Sequence, residues 1–300
     1  MAASNTSPAP TVAPTDPAEL DRAYNNRALV PAFAEHFSRW QHDSLIARQQ
    51  LRGYLDVAYG RGPNESLDLF VPNEPVQGAP VLVFVHGGYW RSLDKADHSF
   101  VAPPFVAQGA CVVVINYALC PAVTVPDIAL QTAHALVWVA RHIAAFGGDP
   151  ARISVVGHSA GGHLAAMMLA CDWSVFGADL SPNLVRQSVS ISGLFDLAAI
   201  QQTPFLQSSL QLTDTQVQQA SPAHWPAPRL VDGRGQLVAV VGGDESSEFL
   251  RQNALIQHVW GHKVVPVCES LPGLNHFSAL EAMTQTGHRL HGLISQSLRI

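Results

Sequence analysis

The chain is predicted to fold as an α/β protein: a mostly parallel, doubly wound sheet with helices on both faces and a small cap. Three observations carry that expectation. Short runs that are apolar at every position recur at 81–85 (VLVFV) and 111–115 (CVVVI), as in strands buried on both faces, and a β-branched run follows at 153–156 (ISVV). A helical Ala/Leu/Trp segment over about 127–146, closed by Gly147-Gly148, separates the second run from the third, which gives a strand–helix–strand series. At Gly157 the period changes from strand-like to helix-like within five residues.

Each element follows in order. Residues 1 to about 17 are Ala, Ser, Thr and Pro with little to bury, so a mobile tail is expected there. Pro31 can open a helix, with Phe33, Phe37 and Trp40 on one face and Leu45 continuing it. This segment, taken as 18–52, packs on the body of the domain or forms a flap over a site. Residues 53–59 and 65–71 read as antiparallel strands around Gly60-Arg61-Gly62-Pro63-Asn64. Further strands are expected at 188–192, 237–241 and 264–268, and helices near 246–260 and 278–296. Between Asp196 and Pro228 the pattern breaks into Gln-rich sequence with four prolines, read as a cap insertion over about 197–228. The α/β domain therefore spans 53–300, without internal repeats.

Composition narrows the function classes. Of 300 residues, 47% are hydrophobic and 13% charged, and the net charge is −6. Such a chain buries a large core and offers nothing to nucleic acid or an anionic membrane. No apolar run reaches the roughly 18 residues of a membrane span. Cys111, Cys120, Cys171 and Cys268 are widely spaced and read as reduced thiols, Cys120 in its Leu-Cys-Pro turn being the least easily set aside. The N-terminus lacks the basic and apolar regions of a secretory signal, so a cytoplasmic protein is expected. The expected partner is a small-molecule substrate, with no cofactor or metal; a homodimer is left open.

The chemistry concentrates at Gly157-His158-Ser159-Ala160-Gly161. A strand that turns at once into a helix strains its central residue and needs small neighbours; it also exposes a serine hydroxyl at the positive end of the helix. Serine is a poor nucleophile until a base oriented by an acid activates it. His276 alone among fourteen histidines sits in a loop directly after a late strand; His158, His163, His288 and His291 read as packing or solvent residues. Asp244, after the 237–241 strand, is the expected acid, with Asp196 its rival. Glu245 and Glu248 read as solvated residues at a helix start. The Ser159, Asp244, His276 order differs from both common serine-protease orders. An oxyanion needs backbone N–H donors; Ala160 is expected to supply one, and Gly88 and Tyr89 in His86-Gly87-Gly88-Tyr89-Trp90 the others, with Gly87 supporting the bend. Tyr89, Trp90 and Phe195 either wall an aromatic-accepting pocket or belong to the core.

With these motifs placed, residues 53 to about 296 resemble the α/β-hydrolase superfamily. His86-Gly87-Gly88 and Gly147-Gly148-Asp149-Pro150 through Gly162 are similar to the hormone-sensitive-lipase-like carboxylesterases. Two departures, Tyr89 for a third glycine and Tyr117-Ala118-Leu119-Cys120-Pro121 for the usual Tyr-Arg-Leu-Ala-Pro, look more like the arylformamidases (kynurenine formamidases). So does Asp244 followed by Phe249-Leu250-Arg251-Gln252. The resemblance implies a small metal-free serine hydrolase that removes the formyl group of N-formyl-L-kynurenine. A general carboxylesterase for short-chain esters is the alternative, and a non-catalytic ligand-binding protein on the same fold the second. Tyr24-Asn25-Asn26-Arg27 lies outside the shared motifs.

Overall fold

The computed structural model describes residues 12–74, 77–231 and 235–299. Most of the expected 1–17 tail lies outside the described residues; within them, Asp16 already caps a helix by accepting from the Ala18 N–H. Helices α1 (Pro17–Tyr24), α2 (Asn26–Leu29) and α3 (Phe33–Gln50) precede the sheet. Its strands are β1 (Gly53–Ala58), β2 (Ser66–Phe70), β3 (Ala79–Val85), β4 (Cys111–Ile115), β5 (Gly148–His158), β6 (Val185–Ile191), β7 (Gln236–Gly242) and β8 (Val267–Leu271). They lie in the order β1-β2-β4-β3-β5-β6-β7-β8. β2 is antiparallel to both its neighbours, and every other adjacent pair is parallel.

The central strands bury both faces. Val81, Val83 and Val85 of β3 join one core and Leu82 and Phe84 the other, the consequence of a two-residue period in a strand covered on each side. Helix α4 (Pro103–Val106) lies on the second face with α3. Helices α5 (Val125–His142) and α6 (Ala160–Leu169) cover the first. The insertion between β6 and β7 folds into α7 (Ala198–Gln201), α8 (Pro204–Leu210) and α9 (Asp214–Ala220), and α10 (Ser247–Val264) follows β7. Among the described residues no helix is long and apolar enough to cross a membrane.

Three expected elements differ. The last strand begins at Val267, not 264, because Val265 still donates to Gly261 O at the helix end; Pro266 then has no N–H for the ladder, and pairing starts at Val238–Val267. The expected 278–296 helix is two, α11 (His276–Glu281) and α12 (Arg289–Arg299), interrupted by Gly287 at φ 93°. Leu45 does not continue the buried face of α3: it is 60% exposed, while Trp40, Ser44 and Ala47, at i, i+4 and i+7, carry that face inward.

Two buried charge networks fasten the N-terminal helices to the domain. Asp68 on β2 accepts from Arg48 of α3 at 2.7 Å and pairs with Lys95 at 3.0 Å, and Lys95 also reaches Asp56. On the other face Arg251 donates through Nε and Nη2 to the two oxygens of Glu248, both at 2.9 Å. The Tyr24 hydroxyl donates to the same carboxylate at 2.8 Å. Glu248, expected in solvent, is only 2% exposed. Removing one partner of a buried pair leaves the other charge uncompensated, at a cost of roughly 3–5 kcal/mol. Glu248→Gln should therefore lower unfolding free energy by about 3 kcal/mol, read from the urea midpoint at unchanged slope; a loss near zero would show that the pair contributes nothing.

Candidate active site

The β5–α6 junction is built by close backbone approach. A Cβ on Gly157 would run into the Gly161 carbonyl, and one on Gly161 into the Val85 carbonyl, so neither position tolerates a side chain. The turn holds Ser159 at φ 56°, ψ −119°, a conformation a non-glycine residue keeps only when its surroundings impose it. Here they do: the Ser159 N–H donates to Ile191 O of β6 at 2.8 Å, and Ser159 O accepts from His163. Ser159 and His276 line the same cavity.

The carboxylate facing His276 is Glu245, not Asp244. Glu245 Oε2 lies 2.6 Å from His276 Nδ1, and the Glu245 side chain is fully buried. Its Oε1 accepts from the Gly242 N–H at 2.7 Å and from the Ser192 hydroxyl. Asp244 is exposed and contributes only its backbone N–H, to Leu274 O. The cause is the turn that ends β7. Glu245 N donates back to Gly242 O at 3.2 Å, closing a four-residue turn in which position three points outward and position four folds back over the strand end. The rival Asp196 is also elsewhere, accepting from the Ala198 N–H and lying 3.6 Å from His224.

His158 has a part that sequence reading did not assign. Its Nε2 lies 2.8 Å from the His276 carbonyl oxygen, and the two rings are 4.7 Å apart. Burial, and secondarily the neighbouring His276, hold its pKa well below the ordinary imidazole value. The neutral ring therefore donates through Nε2–H and ties the elbow to the His276 loop. His163 packs edge-on to Trp90 at 5.0 Å and reaches Ala220 O, and His291 reaches Met283 O. Both are packing residues, as expected.

The loop after β3 runs through three consecutive left-handed residues, Gly88, Tyr89 and Trp90, at φ 102°, 49° and 55°. A Cβ on Gly88 would collide with Ser92 O. Successive residues of this kind turn their N–H groups to one side, a concavity suited to an anion. The loop is braced from behind: His86 stacks on Tyr117 at 4.2 Å, and the Tyr117 hydroxyl donates to His86 O at 2.8 Å. Gly88 and Tyr89 line the cavity beside Ser159. Ala160 is the first residue of α6, where an N–H has no acceptor within its own helix. Gly87 packs under the serine, its Cβ position 3.0 Å from that of Ser159.

The cavity measures about 410 Å³, within the range of small-molecule sites. Trp90 and Phe195 do not wall it. Both are fully buried in the core, the Phe195 N–H donating to Gln252 Oε1 at 2.8 Å. Phe37 and Trp40 of α3, Tyr89, Phe205 of the cap and Phe277 supply the aromatic wall instead. The Tyr24-Asn25-Asn26-Arg27 stretch closes one side, with the Tyr89 hydroxyl donating to Tyr24 O at 2.7 Å. Cys120 lies off the cavity, and burial pushes its thiol up to about 11.

The BD-FAE family matches residues 67–224, more than half of the chain. The chain belongs to the BD-FAE family. Within these α/β-hydrolases it is 30% identical over 264 residues to a kynurenine formamidase of Salmo salar, covering 86% of each chain. A candidate thioesterase from a Silicibacter species superimposes with a TM-score of 0.77 at 30% identity, over 92% of this chain and 99% of that one. A thermostable carboxylesterase cloned from a metagenomic library, at 19% identity and a TM-score of 0.66 over 95% and 98%, shares the fold. As a member of this family the protein is a hydrolase, and its strand order, elbow and glycine loop are those of an α/β-hydrolase fold.

The sequence motifs thus brought Ser159, His276, Gly88 and Tyr89 to one cavity, with Ala160 beside the serine at the start of α6, and misplaced Asp244, Trp90 and Phe195. Arg27, Arg91, Phe205 and Phe277 were not picked out as cavity residues. The position of Glu245 three residues after Gly242 was the available signal for the acid; the cap and α3 residues carry none, since nothing local says which helix face meets a cavity.

Proposed function

We propose that the protein is a cytoplasmic serine hydrolase that cleaves aryl formamides of the N-formylkynurenine type through a formyl-enzyme. The observation that carries this reading is the buried Glu245–His276 contact beside the elbow serine, at the floor of a cavity with an aromatic wall. The formamidase relative, matched over most of both chains, supports the substrate class. Four unpaired cysteines suit a reducing compartment.

The reaction follows from the donors and acceptors in place. His276, with its Nδ1–H held by Glu245, takes the Ser159 hydroxyl proton at Nε2 as the oxygen attacks the formyl carbon. The negative charge that develops on the carbonyl oxygen is met by the N–H groups of Gly88, Tyr89 and Ala160. His276 then returns the proton to the departing arylamine nitrogen as the C–N bond breaks. Water, deprotonated by the same imidazole, attacks the formyl ester and releases formate and the free serine. An arylamine leaves more readily than an alkylamine, which suits an anilide substrate. The retained base and acid argue against a ligand-binding protein without turnover.

A panel of aryl formamides and aryl acetates, compared by kcat/KM, tests the substrate class. We expect the formamides to be favoured by at least about tenfold after correction for intrinsic reactivity. A preference for short-chain acetates would replace this reading with a general carboxylesterase.

A further inference from the structure

The cavity has a charge imbalance that hydrolysis of a neutral substrate does not require. The chain carries a net charge of −6, yet the residues lining this cavity include Arg27 and Arg91 and neither aspartate nor glutamate. Carboxylates behind the wall are engaged: Glu245 by His276, Glu248 by Arg251 and Tyr24, and Asp21 by the Phe205 N–H at 3.1 Å. Arg27 sits at the exposed mouth with its guanidinium 5.3 Å from the Phe37 ring centroid and 5.7 Å from that of Phe33. Its side chain has no ion pair or hydrogen bond among the described residues. Arg91 uses Nη1 on Phe205 O at 2.7 Å and Ser209 Oγ at 3.0 Å and stacks over the Phe205 ring at 5.3 Å. That anchorage fixes the guanidinium while leaving its remaining N–H groups without a hydrogen bond among the described residues.

We propose that Arg27 and Arg91 form a carboxylate-recognition subsite at the cavity mouth, selecting aryl substrates whose leaving group carries a carboxylate. The placement on the leaving group rests on the formamidase reading, because a one-carbon acyl group has no room for a second charge. A planar guanidinium already held against aromatic rings loses little freedom on binding and presents a fork matched to a carboxylate. Burial and the Arg27 charge both disfavour the protonated form of Arg91. An anion between the two cations relieves that repulsion.

The test compares two matched pairs, para-formamidobenzoate with its methyl ester and para-acetoxybenzoate with its methyl ester, using the full-length protein and Arg27→Gln. We expect the anionic-to-neutral ratio of kcat/KM to fall about ten- to hundredfold in the variant, through KM of the anionic member. Arg27→Lys should restore part of it. Benzoate binding followed by calorimetry reads the same subsite without turnover, and its affinity should fall by a similar factor in Arg27→Gln. An unchanged ratio, a parallel loss on both members, or benzoate affinity indifferent to Arg27 would overturn the proposal. Failure of the wild type to cleave either formamide would end the formamidase reading, while the ester pair and benzoate still report on the arginines.

Discussion

Ser159→Ala should abolish turnover, lowering kcat/KM on aryl formamides and aryl esters alike by roughly 10⁴- to 10⁶-fold. The serine is the only hydroxyl the chain places at the elbow, at the positive end of α6 and in the cavity that His276 also lines. Without its oxygen no acyl-enzyme forms, and the N–H groups of Gly88, Tyr89 and Ala160 can only assist direct attack by water. The substitution removes one atom from a residue that is 2% exposed and whose hydroxyl makes no hydrogen bond among the described residues, so the unfolding midpoint should move little. Labelling by a fluorophosphonate should be lost in parallel. Retention of a tenth of the activity in a purified, folded variant would remove Ser159 from the mechanism.

The second large effect separates two adjacent carboxylates. Glu245→Gln should lower kcat about 10³- to 10⁴-fold, or about 4–5 kcal/mol in the barrier, whereas Asp244→Asn should stay within about threefold of wild type. Glu245 accepts from Gly242 N, the Ser192 hydroxyl and His276 Nδ1 at once. A glutamine of the same shape must turn an N–H₂ towards one of these donors. If it faces His276, the ring is driven to the tautomer with its proton on Nε2, and the base that Ser159 needs is gone. Asp244 has no such contacts: its side chain is in solvent and only its N–H is used. Single-turnover measurements on both variants would decide between them; the reverse ranking would return the role to Asp244 and leave the buried Glu245 as a scaffold.

The layout of the sheet and the identity of the elbow are legible in the chain without any coordinates. Both depend on local requirements that composition must obey: apolar strands with no solvent face, and glycines where Gly157 and Gly161 meet a neighbouring backbone. His276 was legible for a similar reason, since a general base must reach the elbow from a loop at a strand end and no other histidine directly follows a late strand. The acid was not. Asp244 and Glu245 are neighbours with the same charge, and only the closure of the 242–245 turn decides which one faces inward. Trp90 and Phe195 followed the same logic, as loop residues whose side chains could point to cavity or core until both were packed into the core, Trp90 edge-on to His163. The cavity walls were the least legible part. Arg27, Phe37 and Trp40 come from helices at the start of the chain and Phe205 from the cap, and they meet at Ser159 only because the sheet brings distant segments to one edge. Backbone geometry constrains residue type position by position and so leaves a mark in the sequence. The direction of a side chain across a turn, and the meeting of segments far apart in the chain, are set by packing energies summed over the whole domain, and they become fixed only when that domain is assembled.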